Sequence, residues 1–472
     1  MARPTPIAIV AGLLLAVLGR DDAMAQTMQR AVPPSRAAVQ WSYAPIVQKV
    51  APAVVNVYAS RTEKLARNPL FDDPFFQQFF GRDFGGQGRE RVQKSLGSGV
   101  IVDPSGLIVT NQHVIEGMTQ VKVALADKRE FEAEILLRDP RSDLAVLRLK
   151  GTTERFPVLP FGDSDNLQVG DLVLALGDPF GVGQTVTQGI VSALARTQID
   201  ASDYQFFIQT DASINPGNSG GALVDIEGRL EGINTAIYSR SGGSVGIGFA
   251  IPVNMVKLVV ESAKAGAKSV RRPWLGAKLQ TVTPEIAESL NLPRPTGALV
   301  ASLTEGGPAA EAGIKRGDVI LSIDGQPIDD PDGFGFRFAT HSLGQNASIA
   351  VRRGSSDVTL PIKLRIAPET PPRDAQKIEG VNPLSGVTVE NLSPAVAEEL
   401  SLDTSAGVVI ADVDGGSTAG RAGFQKGDIL VEVNGTKVST SHDVQHALAD
   451  RTRLWKIVIN RGGQIIPAVF QG

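Results

Sequence analysis

A long-range repeat in the C-terminal part of the chain limits the fold more than any other feature. The run Glu311-Ala312-Gly313-Ile314-Lys315-Arg316-Gly317-Asp318-Val319-Ile320-Leu321 returns as Arg421-Ala422-Gly423-Phe424-Gln425-Lys426-Gly427-Asp428-Ile429-Leu430-Val431. The same offset of 110 residues relates Gly325 to Gly435 and Gly276 to Gly386. Two copies are too few for a solenoid, which needs at least about three stacked repeats to bury a continuous core. Each copy must therefore close its own core, and the repeat predicts two tandem domains. Within a copy, Ala-Gly ends a short helix, where glycine accepts the left-handed conformation that follows the last turn. A basic-Gly-Asp turn and an apolar strand come next, followed by Asp324-Gly325 or Asn434-Gly435, a strong hairpin signal.

This pattern resembles the PDZ domain in its bacterial-protease form, in both copies. The resemblance implies a groove in which a peptide adds as a strand, its terminal carboxylate held by backbone N–H groups of a loop. That loop would be Trp274-Leu275-Gly276-Ala277 in the first copy and Leu384-Ser385-Gly386-Val387 in the second. Glycine there lets a carboxylate approach the backbone, and Arg272 would add charge. In the second copy Ser385 replaces a bulky apolar residue, so its glycine reads equally as the start of a strand. Residues 261–272 are polar and basic, and residues 366–377 hold three prolines and mixed charge. Both stretches read as linkers.

The chain has 472 residues, and at about 150 residues per domain it should contain about three domains. Hydrophobic residues make up 42% and charged residues 20%, a globular composition, and a net charge of −4 gives no footprint for nucleic acid. At the N-terminus, Arg3, an apolar stretch over residues 7–18 and Ala23-Met24-Ala25 compose a cleavable signal peptide, with the mature chain starting near Gln26. Twelve apolar residues make roughly 18 Å of helix, short of a ~30 Å hydrocarbon core. The chain is therefore expected to be exported, and the family resemblance given below implies the periplasm. It has no cysteine and four histidines, none in an H-E-x-x-H arrangement, so neither a metal nor another cofactor is expected.

Residues 41–265 are rich in short Val/Ile runs broken by glycine turns, which predicts an all-β barrel or sandwich. The sharpest motif there is Gly217-Asn218-Ser219-Gly220-Gly221. A nucleophilic serine needs backbone donors for the developing oxyanion and small neighbours that leave room for the acyl group. The backbone of Gly217, Asn218 and Ser219 would form that hole, with the N–H groups of Gly217 and Ser219 as donors. The motif also satisfies G-x-S-x-G, the nucleophile elbow of α/β-hydrolases, whose histidine follows the serine. Here the histidines after Ser219 are His341, His442 and His446, all inside the repeated domains. His113, at the end of the apolar run Val109-Thr110-Asn111-Gln112-His113, is the one base in the serine's own region. That gives the order His, Asp, Ser of the chymotrypsin-like double barrel. Asp143, in Ser142-Asp143-Leu144-Ala145-Val146, is the candidate orienting acid. Asp139 precedes proline and reads as a turn residue, and Asp211 reads as a support of the serine loop.

Taken together, the segments around His113, Asp143 and Ser219, with Gly246-Ile247-Gly248-Phe249-Ala250-Ile251-Pro252, resemble the HtrA/Deg family of PDZ-bearing serine proteases. The resemblance covers nearly all of the mature chain. It implies a mainly β protease domain followed by two PDZ domains: signal peptide 1–25, protease 26–265, PDZ domains 272–368 and 378–472. It also implies ATP-independent cleavage of misfolded envelope proteins, chaperone-like holding, PDZ capture of C-terminal peptides, and homo-oligomers built from trimers. By the same resemblance Arg196 is a sensor-loop arginine near Tyr204, and Ile214 and Ile237 line a primary specificity pocket for small aliphatic side chains. Proteases of this class that are activated by cleavage carry Asp just before the serine. Asn218 stands there instead, so the serine loop must be ordered without that ion pair. Six of the eighteen phenylalanines (Phe71, Phe75, Phe76, Phe79, Phe80 and Phe84) crowd one stretch followed by a polar, glycine-rich segment, read as a contact loop for oligomer formation or regulation.

Overall fold

The structure is a computed structural model that describes residues 42–64, 90–178, 183–196, 206–215, 217–237, 244–402, 404–449 and 452–471. Residues 1–25, expected to be a signal peptide, the phenylalanine-rich stretch and Tyr204 lie outside the described residues. So do the side chains of Arg196 and Ile237, each at the end of a strand. The chain divides into a unit ending at Pro45 and a unit from Ile46 to Gly472, which carries everything described below.

Two closed six-stranded antiparallel barrels come first. The first uses β1 (Val54–Lys64), β2 (Glu90–Asp103), β3 (Leu107–Asn111), β4 (Gln120–Ala124), β5 (Glu130–Asp139) and β6 (Leu144–Leu149), in the order β1-β2-β3-β6-β5-β4. The second uses β7 (Leu172–Gly177), β8 (Thr185–Arg196), β9 (Phe207–Thr210), β10 (Ala222–Asp225), β11 (Leu230–Ile237) and β12 (Gly248–Pro252), in the order β10-β11-β12-β9-β8-β7. In β4, Val121 and Val123 point inward while Gln120 and Lys122 face out, the period-two alternation of a strand wet on one side. β3 lacks that alternation, since all five residues are buried, and in β6 only Arg148 is exposed. The helix Val253–Lys264 packs against β5, β6, β11 and β12 and so covers both barrels. It buries Val253, Val256, Val260 and Ala263 at helical spacing.

The two repeat copies follow as separate sheets with their own cores. The first contains β13 (Ala277–Thr281), β14 (Ala298–Leu303), β15 (Val319–Ile323), β16 (Gln326–Pro327), β17 (Asn346–Arg353) and β18 (Ser356–Lys363). The second contains β19 (Gln376–Lys377), β20 (Val387–Asn391), β21 (Val408–Val413), β22 (Ile429–Val433), β23 (Thr436–Lys437), β24 (Leu454–Arg461) and β25 (Gln464–Gln471). The repeated Gly-Asp turn has a physical reason. Asp318 is buried and accepts Arg353 Nε and Nη2 at 2.8 and 2.7 Å, and Arg353 Nη2 also reaches the Gly313 carbonyl at 2.8 Å. Asp428, Arg461 and Gly423 repeat the arrangement at 2.6, 2.7 and 2.9 Å. Such a bidentate fork locks the turn to the far hairpin. Asp324 and Asn434 both adopt positive φ ahead of a glycine, as a tight two-residue hairpin requires.

Neither predicted linker is free chain. The first begins inside the helix Val253–Lys264, and its last residue, Arg272, is buried. The second ends in β19, which pairs with β20.

Candidate active site

The site is assembled where the two barrels meet. β3 leads into a single 3-10 turn, His113–Ile115, and the connection from β5 to β6 makes another, Pro140–Ser142. Asp143 follows in the left-handed region (φ 53°, ψ 39°), which reverses the chain tightly enough to aim its carboxylate back at His113. The Asp143 carbonyl accepts the Gln112 N–H at 3.1 Å and Asn111 Nδ2 at 3.0 Å, tying the two turns together. Both carboxylate oxygens are engaged as well. Oδ1 accepts the His113 backbone N–H at 3.0 Å, and Oδ2 meets His113 Nδ1 at 2.8 Å and accepts Thr235 Oγ1 at 2.7 Å. A carboxylate oxygen only accepts, so Nδ1 is the imidazole's donor and the ring's lone pair lies on Nε2. The Asp143 side chain is 10% exposed and that of His113 47%, which places the acid behind the ring and the ring's free edge in the cleft.

Ser219 belongs to the second barrel, between β9 and β10. Its loop is pinned to the first barrel by Ser98 of β2. The Ser98 N–H donates to the Ser219 carbonyl at 2.8 Å, and Ser98 Oγ donates to the Gly217 carbonyl at 2.6 Å while accepting the Asp178 N–H at 2.8 Å. Gly220 explains the small residue after the serine. Its φ is +84°, and a Cβ there would overlap the Ser98 carbonyl and Thr110 Oγ1. Asn218 is buried, and neither atom of its side-chain amide has a hydrogen-bond partner among the described residues.

The backbone donors around Ser219 are not equally engaged. Asn218 N–H donates to the Asn215 carbonyl at 3.0 Å, Gly220 N–H to Asn234 at 2.8 Å and Gly221 N–H to Asn218 at 2.9 Å. The middle residue of the Gly217, Asn218, Ser219 set is therefore spent internally, whereas the Gly217 and Ser219 N–H groups donate to no described acceptor. The Ser219 hydroxyl donates to the Thr235 carbonyl at 3.2 Å rather than to the imidazole. Thr235, on β11, thus touches both halves of the site, with its hydroxyl on Asp143 and its carbonyl on Ser219. Sequence reasoning missed both Thr235 and Ser98. Each lies inside an apolar strand run, with no local signature beyond a polar residue at a buried position.

The remaining predicted residues are placed as follows. Ile214 lies in the second barrel's core, 1% exposed, with its Cδ1 against Gly248. Asp211 accepts the Ile190 N–H at 2.7 Å and so braces β8. Arg272 does not serve the peptide loop. Its guanidinium is buried in the protease region, with Nη1 on Asp139 Oδ1 at 3.1 Å and Nη2 on Asp139 Oδ2. Asp139 is thus a buried ion-pair partner, which also accepts Ser142 Oγ next to Asp143, rather than a plain turn residue. A second contact joins the barrels to the first copy: Phe206 stacks on Phe336 at 4.2 Å with Arg337 over its ring, and Arg337 pairs with Asp165 at 3.1 Å.

In the first copy, the Trp274 N–H donates to the Arg365 carbonyl at 2.8 Å, and the Leu275 and Gly276 N–H groups donate to no described acceptor. Gly276 has φ +71°, and Leu275 is buried in the copy's core. Ala277 opens β13, an edge strand that among the described residues pairs with β14 alone and faces the helix Pro331–Ala339.

Comparison with known proteins agrees with this architecture. A trypsin-like peptidase domain model matches residues 97–233, and PDZ domain models match residues 273–364 and 409–461. A probable periplasmic serine endoprotease DegP-like of Marinomonas sp. (strain MWYL1) is 39% identical over 408 residues, covering 84% of this chain and 85% of that protein. The periplasmic serine endoprotease DegP of Escherichia coli (strain K12) is 36% identical over 455 residues, covering 91% and 92%. Among solved structures, the HtrA-type protease AlgW with decapeptide superposes with a TM-score of 0.53 at 46% identity, covering 70% of this chain and 99% of that one. With a double barrel, two PDZ domains and relatives matched over most of their length, the chain is a serine endopeptidase and belongs to the DegP-like, HtrA-type family of periplasmic serine endoproteases.

Proposed function

We propose that Ser219, His113 and Asp143 form the catalytic triad of an endopeptidase acting through an acyl-enzyme, with Thr235 as the fixed post between them. The observation that carries this reading is the pair of Thr235 bonds, 2.7 Å to Asp143 and 3.2 Å from Ser219, which bring residues of both barrels to one point. His113 Nε2 takes the Ser219 proton as Oγ attacks the scissile carbonyl, and then delivers it to the leaving amine. Water repeats the sequence in reverse to release the acid. Asp143 holds the ring's tautomer and stabilises the imidazolium. The N–H groups of Gly217 and Ser219 receive the oxyanion. The bond from Ser219 to the Thr235 carbonyl makes the described arrangement a resting one, and rotation about the serine Cα–Cβ bond precedes proton transfer.

Ile214 against Gly248 gives an apolar wall for the primary specificity pocket, and Ile237 follows Thr235 by two residues on β11. Small aliphatic side chains before the scissile bond fit such a pocket. The open edge of β13 and the unclaimed Leu275 and Gly276 N–H groups suit a C-terminal peptide added as a strand. Substrates are unfolded envelope polypeptides, which the enzyme degrades without ATP and also holds as a chaperone. Homo-oligomers built from trimers, removal of residues 1–25 on export, and a sensor role for Arg196 complete the reading. The protease domain spans residues 26–265 and the first PDZ domain 272–368. The second spans residues 378–472, and β19 ahead of it pairs with its strand β20.

Purified chain incubated with unfolded casein tests the proposal beside Ser219→Ala, His113→Ala and Asp143→Asn. Cleavage by the wild type alone is expected. Equal suppression of aggregation by wild type and Ser219→Ala would establish holding as a separate activity. Casein cleavage retained by Ser219→Ala would refute the triad.

A further inference from the structure

We infer that the second PDZ groove is occupied by the chain's own residues 374–378, and that this strap reports the peptide class the groove takes once the strap is displaced. The segment runs antiparallel to β20 on the edge not used by β21, with Gln376 opposite Val389 and Lys377 opposite Thr388. Ile378 sits where a bound peptide would end. Its N–H donates to the Val387 carbonyl at 2.8 Å, its carbonyl accepts the Gly386 N–H at 2.9 Å, and its side chain is buried in the second copy's core. The far wall of the groove, the helix Ser441–Ala449, holds the strap's side chains. Ser441 Oγ donates to Asp374 Oδ2 at 2.7 Å, His442 Nε2 lies 3.2 Å from the same oxygen, and Gln445 Nε2 donates to Gln376 Oε1 at 2.9 Å.

The peptide loop is spent in the same way. The Leu384 and Ser385 N–H groups donate to the side chain and carbonyl of Asn382 at 3.0 and 3.2 Å, and the Gly386 N–H goes to Ile378. The first copy differs at each of these points: β13 has an open edge, and its loop keeps two N–H groups without a described acceptor. An added strand gains affinity from main-chain hydrogen bonds and specificity from pockets for alternate side chains. The strap shows both, so the groove's ligand is an extended peptide ending in an aliphatic residue, with an amide side chain two positions earlier and an acid four positions earlier. In the resting chain, capture of C-terminal peptides falls to the first groove alone. The second opens only to a ligand that outcompetes a tethered one, and tethering gives the strap an effective concentration of the order of millimolar.

The experiment uses the full chain carrying Ser219→Ala, so that the probe survives and the outcome is independent of catalysis. The probe is a fluorescein-labelled hexapeptide copying residues 373–378 with a free C-terminal carboxylate. In one variant Lys377→Cys and Thr388→Cys, partners across β19 and β20 in a chain without other cysteines, are oxidised to lock the strap. In another, Asp374→Ala and Gln376→Ala remove its grips on the helix, and unchanged fluorescence of the buried Trp455 reports an intact second core. The opened chain should bind one more equivalent of peptide than the locked chain, and the same peptide as a C-terminal amide should lose that equivalent. In the unmodified chain, the Gly386 amide should exchange with solvent at least about tenfold more slowly than in the opened variant. Equal stoichiometry in locked and opened chains would overturn the inference. So would a Gly386 amide that exchanges equally fast in both.

Discussion

Replacing Thr235 with valine removes one hydroxyl and little else, which makes it the sharpest probe of the site. The shape is kept, and so is the backbone carbonyl that accepts Ser219 Oγ. Asp143 Oδ2 loses a donor at 2.7 Å and retains only His113 Nδ1, while Oδ1 keeps the His113 N–H. A hydrogen bond to a charged group contributes about 1.5–3 kcal/mol, and one removed from a buried acceptor leaves a desolvated oxygen behind. If that loss falls on the state in which the imidazolium forms, turnover drops roughly 10- to 100-fold. The substrate's ground-state contacts do not change, so the loss should appear in kcat with KM nearly constant. Steady-state kinetics on a chromogenic peptide, run well below the unfolding temperature, reads both parameters. Thr235→Ser restores the donor and should recover to within about threefold of the wild type. Activity of Thr235→Val within twofold of the wild type would refute the reasoning, as would a serine variant no better than the valine one.

Three further outcomes follow from the geometry. Arg272→Ala or Asp139→Ala strands a buried charge and should lower stability by about 3–5 kcal/mol, while Arg272→Met combined with Asp139→Leu should recover most of it, as read from urea unfolding. Gly220→Ala forces a Cβ into the Ser98 carbonyl and should cut labelling by a peptidyl phosphonate about 100-fold, with circular dichroism unchanged. Glu231, 3% exposed, has its carboxyl pushed up to about 8, first by burial and then by the neighbouring Asp225. The folded chain then holds a proton that the unfolded chain releases near pH 4.5. This contribution is complete below about pH 4.5 and is lost as pH rises toward 8, a fall of a few kcal/mol that Glu231→Gln should flatten in thermal melts.

Much of this molecule was legible because its constraints are local. The Gly-Asp turns, the Asp-Gly and Asn-Gly hairpins and the glycines around Ser219 are backbone requirements that only a few residue types satisfy, so they stand out in the sequence. His113 and Asp143 were singled out by elimination and by their place at strand ends, where barrel loops converge. Thr235 was not, because its role exists only once β11 closes against the first barrel's turns, and within Leu230–Ile237 a threonine is an ordinary strand residue. Arg272 was misplaced for the opposite reason. It stands two residues before Trp274, which drew it toward the peptide loop, yet its partner Asp139 lies 133 positions away. The 366–377 stretch was read as a linker from its prolines and charges, and nothing in composition marks a segment that will pair with its own domain.

Arg272 and Ile378 give the two copies of one domain different surroundings. The cores, the Gly-Asp locks and the hairpins repeat at a constant offset, so the two copies differ in their loops and helix faces and in the chain that enters each one. Ahead of the first, Arg272 is drawn into the barrels by Asp139, which carries the entering segment away from β13 and leaves its edge open. Among the described residues no such anchor to the barrels stands before the second. Arg373 instead pairs with Glu369, Glu390 and Glu399 of its own surroundings, and its carbonyl accepts the Asn391 N–H at the end of β20. The next five residues run along β20, and Ile378 is buried in the second core beside Gly386. On the proposed reading, a buried ion pair on one entering segment and a charge network that ties the other to Glu390 and Glu399 of its own domain set the two copies apart.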